Sequence, residues 1–351
     1  MICKKENLNT ALAAVSEGLT PNSYVILATT VTLHVADGKL YLITEPDDGE
    51  VWYSAEVGTT NEAFPTVSVD GAKFSKAISY CDTDVELSAT EDTLLVKNSK
   101  GTLKLSILVD DAGNRAAHEF FTKSGEQIRV DNLNQLKMLT GTISKTMDSI
   151  AERCVYTDGD CSFATDEINI SKGDSLVAVN GGILLSARMI SYCSKHSDVQ
   201  IYDAGNEYFW FVSEEAHSAA RFSKVFQDFL DQFPLQSLKD EFSNEVLHSV
   251  QVDMSSFLNS MQFLAIVADS ANDYSVTVSQ ETPEELILKC ADSIQKVPCK
   301  SIAGSGPWSV DVDCMSANAR FAAYDGIVQL DVYESQLACV GPVTTSIGLI
   351  V

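Results

Sequence analysis

Three stretches of this 351-residue chain follow one plan. A plan used three times constrains the fold more than any single motif, because each copy must build the same supersecondary unit. Val69-Asp70-Gly71-Ala72 leads into Phe74 to Cys81 and then Asp84-Val85-Glu86-Leu87. Val179-Asn180-Gly181-Gly182 leads into Ile183 to Cys193 and then Asp198-Val199-Gln200-Ile201, and Val310-Asp311-Val312-Asp313 leads into Cys314 to Tyr324 and then Ile327-Val328-Gln329-Leu330. The first two copies share Ile-Ser-Tyr-Cys, at Ile78 to Cys81 and Ile190 to Cys193.

A second helical segment precedes each copy, opening at Glu6-Asn7-Leu8, Val130-Asp131-Asn132-Leu133 and Val252-Asp253-Met254. Asp131 and Asp253 suit helix N-caps, where a side-chain oxygen accepts otherwise unpaired backbone N–H groups. Leu8, Leu12, Val15 and Leu19 form one helical stripe, and Phe257, Met261, Leu264 and Ala268 another, with the latter helix expected over residues 254–269. Between them lie short alternating runs: Val31 to Val35, Leu40 to Leu42, Thr93 to Val96, Leu103 to Leu105, Tyr208 to Phe211 and Ser275 to Val278. Turn signals such as Ala36-Asp37-Gly38, Thr157-Asp158-Gly159-Asp160 and Ala204-Gly205-Asn206 separate them. The pattern predicts an α+β chain of three similar domains, 1–125, 126–243 and 244–351, each with two helices on antiparallel hairpins.

With 45% apolar residues, 15 Phe, 11 Tyr and 3 Trp, the chain can bury a core, which sets it apart from a disordered acidic tail. No stretch reaches the ~18 consecutive apolar residues of a membrane span, and Met1-Ile2-Cys3-Lys4-Lys5-Glu6 lacks the apolar run of a secretory signal. The nine cysteines are odd in number, scattered and free of CxxC pairs, as expected of reduced, mostly buried thiols in a cytoplasmic protein.

The formal net charge is −25, and the three domains carry −8, −8 and −9. Spread evenly, that charge would exclude nucleic acid, which draws on clustered Lys and Arg. Several basic residues nevertheless fall on helices. Lys73 and Lys76 lie opposite the Phe74, Ala77, Ile78, Cys81 stripe; Arg188 and Lys195 share a helical face; Lys137 and Lys145 project to roughly one side of the helix after Asp131; Arg320 sits on the last helix. These are either solvated helix faces or equivalent helices lining one phosphate-facing surface. The helix after Asp253 carries no Lys or Arg and favours the former.

These residues, taken in order, resemble the bacterial sliding clamp, the β subunit of DNA polymerase III. Val35-Ala36-Asp37-Gly38-Lys39-Leu40 and the stretch Lys73 to Leu108 follow that family's order of strand, helix and strands. Ala164-Thr165-Asp166 stands at its Ala-Thr-Asp-Gly turn, and Phe226-Gln227-Asp228-Phe229-Leu230-Asp231-Gln232-Phe233-Pro234 keeps the spacing of its Phe-Pro-Asp-Tyr, three residues, Pro segment. Glu167 replaces the usual glycine, Gln227 the first proline and Asn169 a basic residue, and Ile347-Gly348-Leu349-Ile350-Val351 replaces Met-Pro-Met-Arg-Leu. Such divergence would suit an outlying or phage-encoded member.

The resemblance implies a head-to-tail homodimer, a ring whose helices face double-stranded DNA, with a polymerase and a clamp loader as partners. An acidic exterior with basic residues confined to the inner helices would repel DNA everywhere except in the hole, and contact there would be to phosphates and blind to sequence. The DNA-facing candidates are Lys73, Lys76, Lys137, Lys145, Arg188, Lys195 and Arg320. The resemblance also implies a hydrophobic pocket for partner peptides between the second and third domains, lined by Thr165, Ile170, Pro234, Ile347 and Leu349. On the residues alone, the terminal Ile-Gly-Leu-Ile-Val is an edge strand completing the last sheet.

Catalytic signatures do not emerge. His34, His118, His196, His217 and His248 have no metal-ligand spacing, and the sequence lacks GxxxxGK[ST], GxGxxG and GxSxG. Asp158 and Asp160 suit a hairpin turn better than a calcium loop. The sequence therefore predicts a protein with no catalytic residues, metal or cofactor: a processivity factor, or alternatively an acidic noncatalytic structural or interaction protein of repeated α+β domains without DNA function.

Overall fold

The computed structural model describes residues 1–143, 149–179, 181–205, 207–268, 274–304 and 306–350. Its α-helices are α1 (Lys5–Val15), α2 (Gly71–Ser79), α3 (Leu136–Thr140), α4 (Ala187–Lys195), α5 (Leu235–Glu241), α6 (Met254–Leu264) and α7 (Cys314–Phe321). No helix among the described residues is long and apolar enough to cross a membrane. The strands pair antiparallel throughout the registers formed within each of two compact units.

The first unit comprises Met1–Arg129 with Ser191–Val225. Strands Ile2–Lys4, Asp84–Ala89, Thr93–Asn98 and Gly101–Ser106 make one sheet in that order. A larger sheet runs through strands 126–130, 200–203, 208–213, 218–223, 51–59, 39–44, 30–36 and 67–70. Helix α1 buries Leu8, Ala11, Leu12 and Val15, as its stripe requires, but it stops at Val15, so Leu19 lies beyond it. Helix α2 buries Phe74, Ala77 and Ile78. Its carbonyl end is capped by Lys5, whose Nζ donates to the carbonyls of Ser79 (2.9 Å) and Cys81 (2.7 Å), a favourable place for a cation at the negative end of a helix. Gly18 is required by close approach: a Cβ there would collide with Thr44 Oγ1 and stand 2.9 Å from the Tyr53 ring.

The second unit comprises Val130–Ile190 with Phe226–Val351, and it holds a single twelve-stranded sheet. The strands run 183–185, 155–157, 161–165, 170–174, 343–348, 336–340, 327–332, 248–253, 293–303, 285–290, 275–282 and 308–313. The join between strands 170–174 and 343–348 brings residues far apart in sequence into register, with Ile170 opposite Ser346 and Ser171 opposite Thr345. Helices α6 and α7 pack on one core through Phe257, Met261, Leu264 and Phe321, all fully buried; each such side chain contributes about 1.5–3 kcal/mol of transfer free energy. A second core gathers Tyr156, Phe163, Ile170, Phe233 and Leu238.

Three aspartates that follow a strand act as helix N-caps. Asp70 accepts from Lys73 N, Asp253 from Ser256 N and Asp313 from Met315 N and Ser316 N, each worth about 1 kcal/mol. Asp131 departs from the expectation. Asn132 donates to the Ser175 carbonyl and Gln135 bonds both Asp174 N and Asp174 Oδ2, so the chain is tied to strand 170–174 and forms a 3-10 turn before α3 starts at Leu136. Helix α6 ends at Leu264, short of the expected residue 269. Ile183–Leu185 is a strand, so the glycine pair before it leads into a strand and not directly into α4. The expected boundary near residue 125 falls close to Arg129, where the first unit's leading segment ends; the one near 243 falls inside the second unit, just after α5.

The terminal strand Val343–Gly348 is not an edge. It pairs with strand 336–340 on one side and 170–174 on the other, and Ile347 is fully buried because both of its flanks are covered. All nine cysteines are free thiols, and burial pushes Cys193 up to about 12 and Cys3 up to about 11, which keeps them protonated and unreactive at neutral pH.

Candidate functional site

The turn joining strands Cys161–Thr165 and Ile170–Asp174 is organised by one carboxylate. Asp166 Oδ1 accepts from Ile168 N (3.3 Å) and Asn169 N (2.7 Å), while Asn169 Nδ2 donates to both Asp166 oxygens at 3.0 Å. Thr165 Oγ1 accepts from Glu167 N at 3.0 Å and donates to the Asn169 carbonyl at 3.1 Å. These bonds hold Glu167 at φ 75°, the left-handed region where a side chain costs roughly 1–2 kcal/mol. The consequence is that Glu167 and Ile168 project outward. Ile168 is 67% exposed, an unusual position for an isoleucine.

Of the five expected pocket residues, Thr165 and Ile170 flank this turn, Ile347 and Leu349 flank Gly348, which lies against it, and Pro234 follows Phe233, which shares a core with Ile170. Thr165 faces Ile170 across the hairpin, and Ile170 faces Ser346, the neighbour of Ile347. Thr165, Ile170 and Ile347 are buried to 4% exposure or less and serve as floor and core, so a ligand could not reach their side chains directly. Pro234 and Leu349 are half-buried. Pro234 follows Phe233, whose ring stacks on Tyr156 at 5.2 Å. Leu349 donates its N–H to the Ser335 carbonyl and bridges to Val312. Gly348 permits the contact between the C-terminal strand and the turn: a Cβ there would come within 3.0 Å of Ile168 Cγ2 and 3.2 Å of the Ile168 carbonyl. Ile168 is therefore the accessible apolar group that sequence reasoning missed. Its signal was an isoleucine set between Glu167 and Asn169 in an otherwise polar turn.

Charge around the turn is mostly negative. Asp166 is ion-paired with Arg320 of α7 through Nη2 and Oδ2, with the side chains 13% and 21% exposed. The short turn Ala151–Arg153 packs against strand 161–165 and brings Glu152 close by. Burial, then the carboxylates of Glu167 and Asp166, push the Glu152 carboxyl above its ordinary range. Glu152 Oε2, Asn169 Oδ1, Asn318 Oδ1 and Arg320 Nε are buried without a hydrogen-bond partner.

The expected DNA-facing cations fall into distinct environments. Lys73 and Lys76 are exposed on α2, Lys73 only 3.7 Å from its own cap Asp70. Lys137 is exposed on α3. Lys145 lies outside the described residues. Arg188 on α4 is half-buried and engaged in an interaction. Lys195 on α4 is ion-paired with Glu17, which also accepts from Ser191 Oγ at 2.7 Å. Burial alone would raise Glu17, but the hydrogen bonds from Lys195 and Ser191 and the Lys195 charge outweigh it and hold its carboxyl below the usual range. Arg320, as described, is committed to Asp166.

Among the described residues, no group of three or more His, Cys, Asp or Glu is placed to hold a metal ion. Asp158 Oδ1 accepts from Asp160 N and Cys161 N, which uses it to close the hairpin.

No protein family model matches the chain, and no curated protein matches it in sequence. Solved structures do match in fold, over essentially the whole length. The Helicobacter pylori β clamp bound to a DNA ligase peptide is similar with a TM-score of 0.79 at 14% identity, covering 100% of both chains. The DNA polymerase III subunit beta of Pseudomonas aeruginosa is similar with a TM-score of 0.78 at 14% identity, covering 100% of this chain and 99% of that one. A Eubacterium rectale protein, whose assignment as a DNA polymerase III beta subunit is provisional, gives 0.82 at 12% identity over 99% and 98%. The chain thus has the α+β fold of the β clamps, which is what its sequence resemblance led us to expect.

Proposed function

We propose that this chain is a DNA sliding clamp, a noncatalytic processivity factor that encircles duplex DNA as a homodimer and tethers a polymerase delivered with a clamp loader. The observation that carries the proposal is the end-to-end likeness to β clamps, one of them holding a DNA ligase peptide. Three domains, 1–125, 126–243 and 244–351, complete the assignment, so that two copies supply six. A net charge of −25 with exposed Lys73, Lys76 and Lys137 on helices suits a protein that repels DNA except along a basic lining. Contact would be with backbone phosphates, and retention would be topological.

Self-association is supported by two exposed apolar edges. Leu103, 47% exposed, lies on the outermost strand Gly101–Ser106 of the first unit, and Phe263, Ile266 and Val267 are 52%, 80% and 43% exposed at the end of α6 in the second. An unpaired strand beside an apolar side chain is a natural site for a second copy. The exposed Ile168, together with the expected pocket residues Thr165, Ile170, Pro234, Ile347 and Leu349, is assigned to partner peptides.

The test is retention on nicked circular DNA loaded by a clamp loader, followed by linearisation, with negative-stain images of the free protein. Rings that stay on circles and run off linear DNA are expected. A monomer that binds neither form would overturn the proposal. That outcome would favour the second reading, an acidic interaction protein without DNA function, which the neutralisation of Lys195 by Glu17 and Arg320 by Asp166 supports.

A further inference from the structure

We infer that Gln227 holds shut a strand-pairing edge of the twelve-stranded sheet, an edge that would otherwise pair with the same strand of a second copy. The edge lies wholly in the second unit, and its closure is independent of the DNA reading.

Strand 183–185 is the first of the twelve, paired with strand 155–157 on one flank and with no strand on the other. In an antiparallel pair, alternate residues turn their N–H and C=O toward the partner, so a three-residue strand offers its free flank the groups of the middle residue. Leu184 is that residue, and Gln227 meets both groups. Its Oε1 accepts from Leu184 N at 2.9 Å, and its Nε2 donates to the Leu184 carbonyl at 2.8 Å. A side-chain amide thus stands in for the peptide of a neighbouring strand.

The corresponding strands of the other two repeats also end their sheets and also lead into a helix, but they close the same flank with main chain. Strand 67–70, ahead of α2, is bridged at Val69 by Ile107, and the Ser68 carbonyl accepts from Leu108 N at 2.8 Å. Strand 308–313, ahead of α7, is bridged at Val312 by Leu349, and the Asp311 carbonyl accepts from Ile350 N at 2.9 Å. The cover on strand 183–185 differs in kind, because rotation of one side chain removes it. Gln227 sits on a segment, 224–232, that has no fully buried residue. Beside it Ile183, Leu184 and Leu185 are 7%, 0% and 0% exposed, an apolar strand of the sort that pairs between chains once its edge is open. A two-fold axis between copies lets Leu184 exchange both hydrogen bonds with its own counterpart.

The experiment uses the full chain, wild type and Gln227→Ala, with a fluorescein-labelled peptide Gly-Ile-Leu-Leu-Ser-Ala that repeats residues 182–187, and the same peptide N-methylated at its first leucine. By fluorescence anisotropy the variant should bind the plain peptide at least about tenfold more tightly than the wild type does, and the N-methylated peptide at least about tenfold more weakly than the plain one, since an added strand must donate that N–H. Without peptide, light scattering should show the variant gaining mass with concentration beyond the wild-type species. Gln227→Glu keeps an acceptor for the Leu184 N–H but offers its carbonyl no donor, and should fall between the two. Equal peptide binding by wild type and variant overturns the inference. So does a variant with an intact circular dichroism spectrum that neither binds peptide nor gains mass, because water then covers the edge as well as the amide does. If Gln227→Ala does not fold, the Glu variant decides, and peptide binding no tighter than wild type overturns the inference.

Discussion

Arg320 reaches across 154 residues of sequence to hold Asp166, the carboxylate that folds the 165–169 turn. Asp166 directs Oδ1 to turn amides and Oδ2 to Arg320 and Asn169, so one side chain couples helix α7 to the surface assigned to peptides.

Removing the guanidinium should therefore loosen the turn as well as the helix contact. Arg320→Ala is expected to destabilise the second unit by about 2–4 kcal/mol, because a mostly buried carboxylate loses its counter-charge. Urea unfolding measures it. A change under about 0.5 kcal/mol would mean that the pair is solvent-screened and that Arg320 is available for other work.

Glu167 holds a left-handed backbone conformation that glycine adopts without strain. Glu167→Gly should raise stability by about 0.5–1 kcal/mol, the relief of strain exceeding glycine's extra unfolded-state entropy. Thermal unfolding reads the outcome. A loss of stability would show that the carboxylate makes compensating contacts.

The Glu17 to Lys195 pair gives a pH signature in the first unit. Because the folded carboxyl lies below its ordinary value, the unfolded chain takes up the proton first as pH falls. The contribution is thus fully present above the unfolded value of about 4.3 and is lost as pH drops through the folded one. The stability gap between the wild-type chain and Glu17→Gln should be constant from pH 6 to 7 and close below about pH 4. A gap independent of pH would remove the charge interaction from the account.

Exposed lysines on helices should register in the salt dependence of DNA binding. Replacing Lys73, Lys76 or Lys137 by Gln is expected to lower the slope of log affinity against log salt by roughly 0.9 for each phosphate the variant no longer neutralises. Lys195→Gln should change it less, since Glu17 already holds that ammonium. Equal slopes for all four variants would place the lysines away from DNA.

Much of the fold was legible locally. The stripes through Leu8, Leu12 and Val15 and through Phe257, Met261 and Leu264 became the buried faces of α1 and α6, and Asp253 caps its helix as expected. After Asp131 it is Asn132 that takes the N-cap position of a 3-10 turn, and Asn132 and Gln135 pair with Ser175 and Asp174, an option invisible to local pattern. The burial of the pocket candidates Thr165, Ile170 and Ile347 was not foreseeable, nor was the exposure of Ile168.

Sequence by itself determined what depends on near neighbours: the helix and strand periods, the turn residues and the acidic balance of the chain. Tertiary structure decided which charges are free. Lys195 is 178 residues from Glu17 and Arg320 is 154 from Asp166, and a long cationic side chain chooses its partner only after packing has brought a carboxylate within reach. It also decided that the last strand is interior, because a strand becomes an edge or a centre through what hydrogen-bonds to its flank, here strand 170–174.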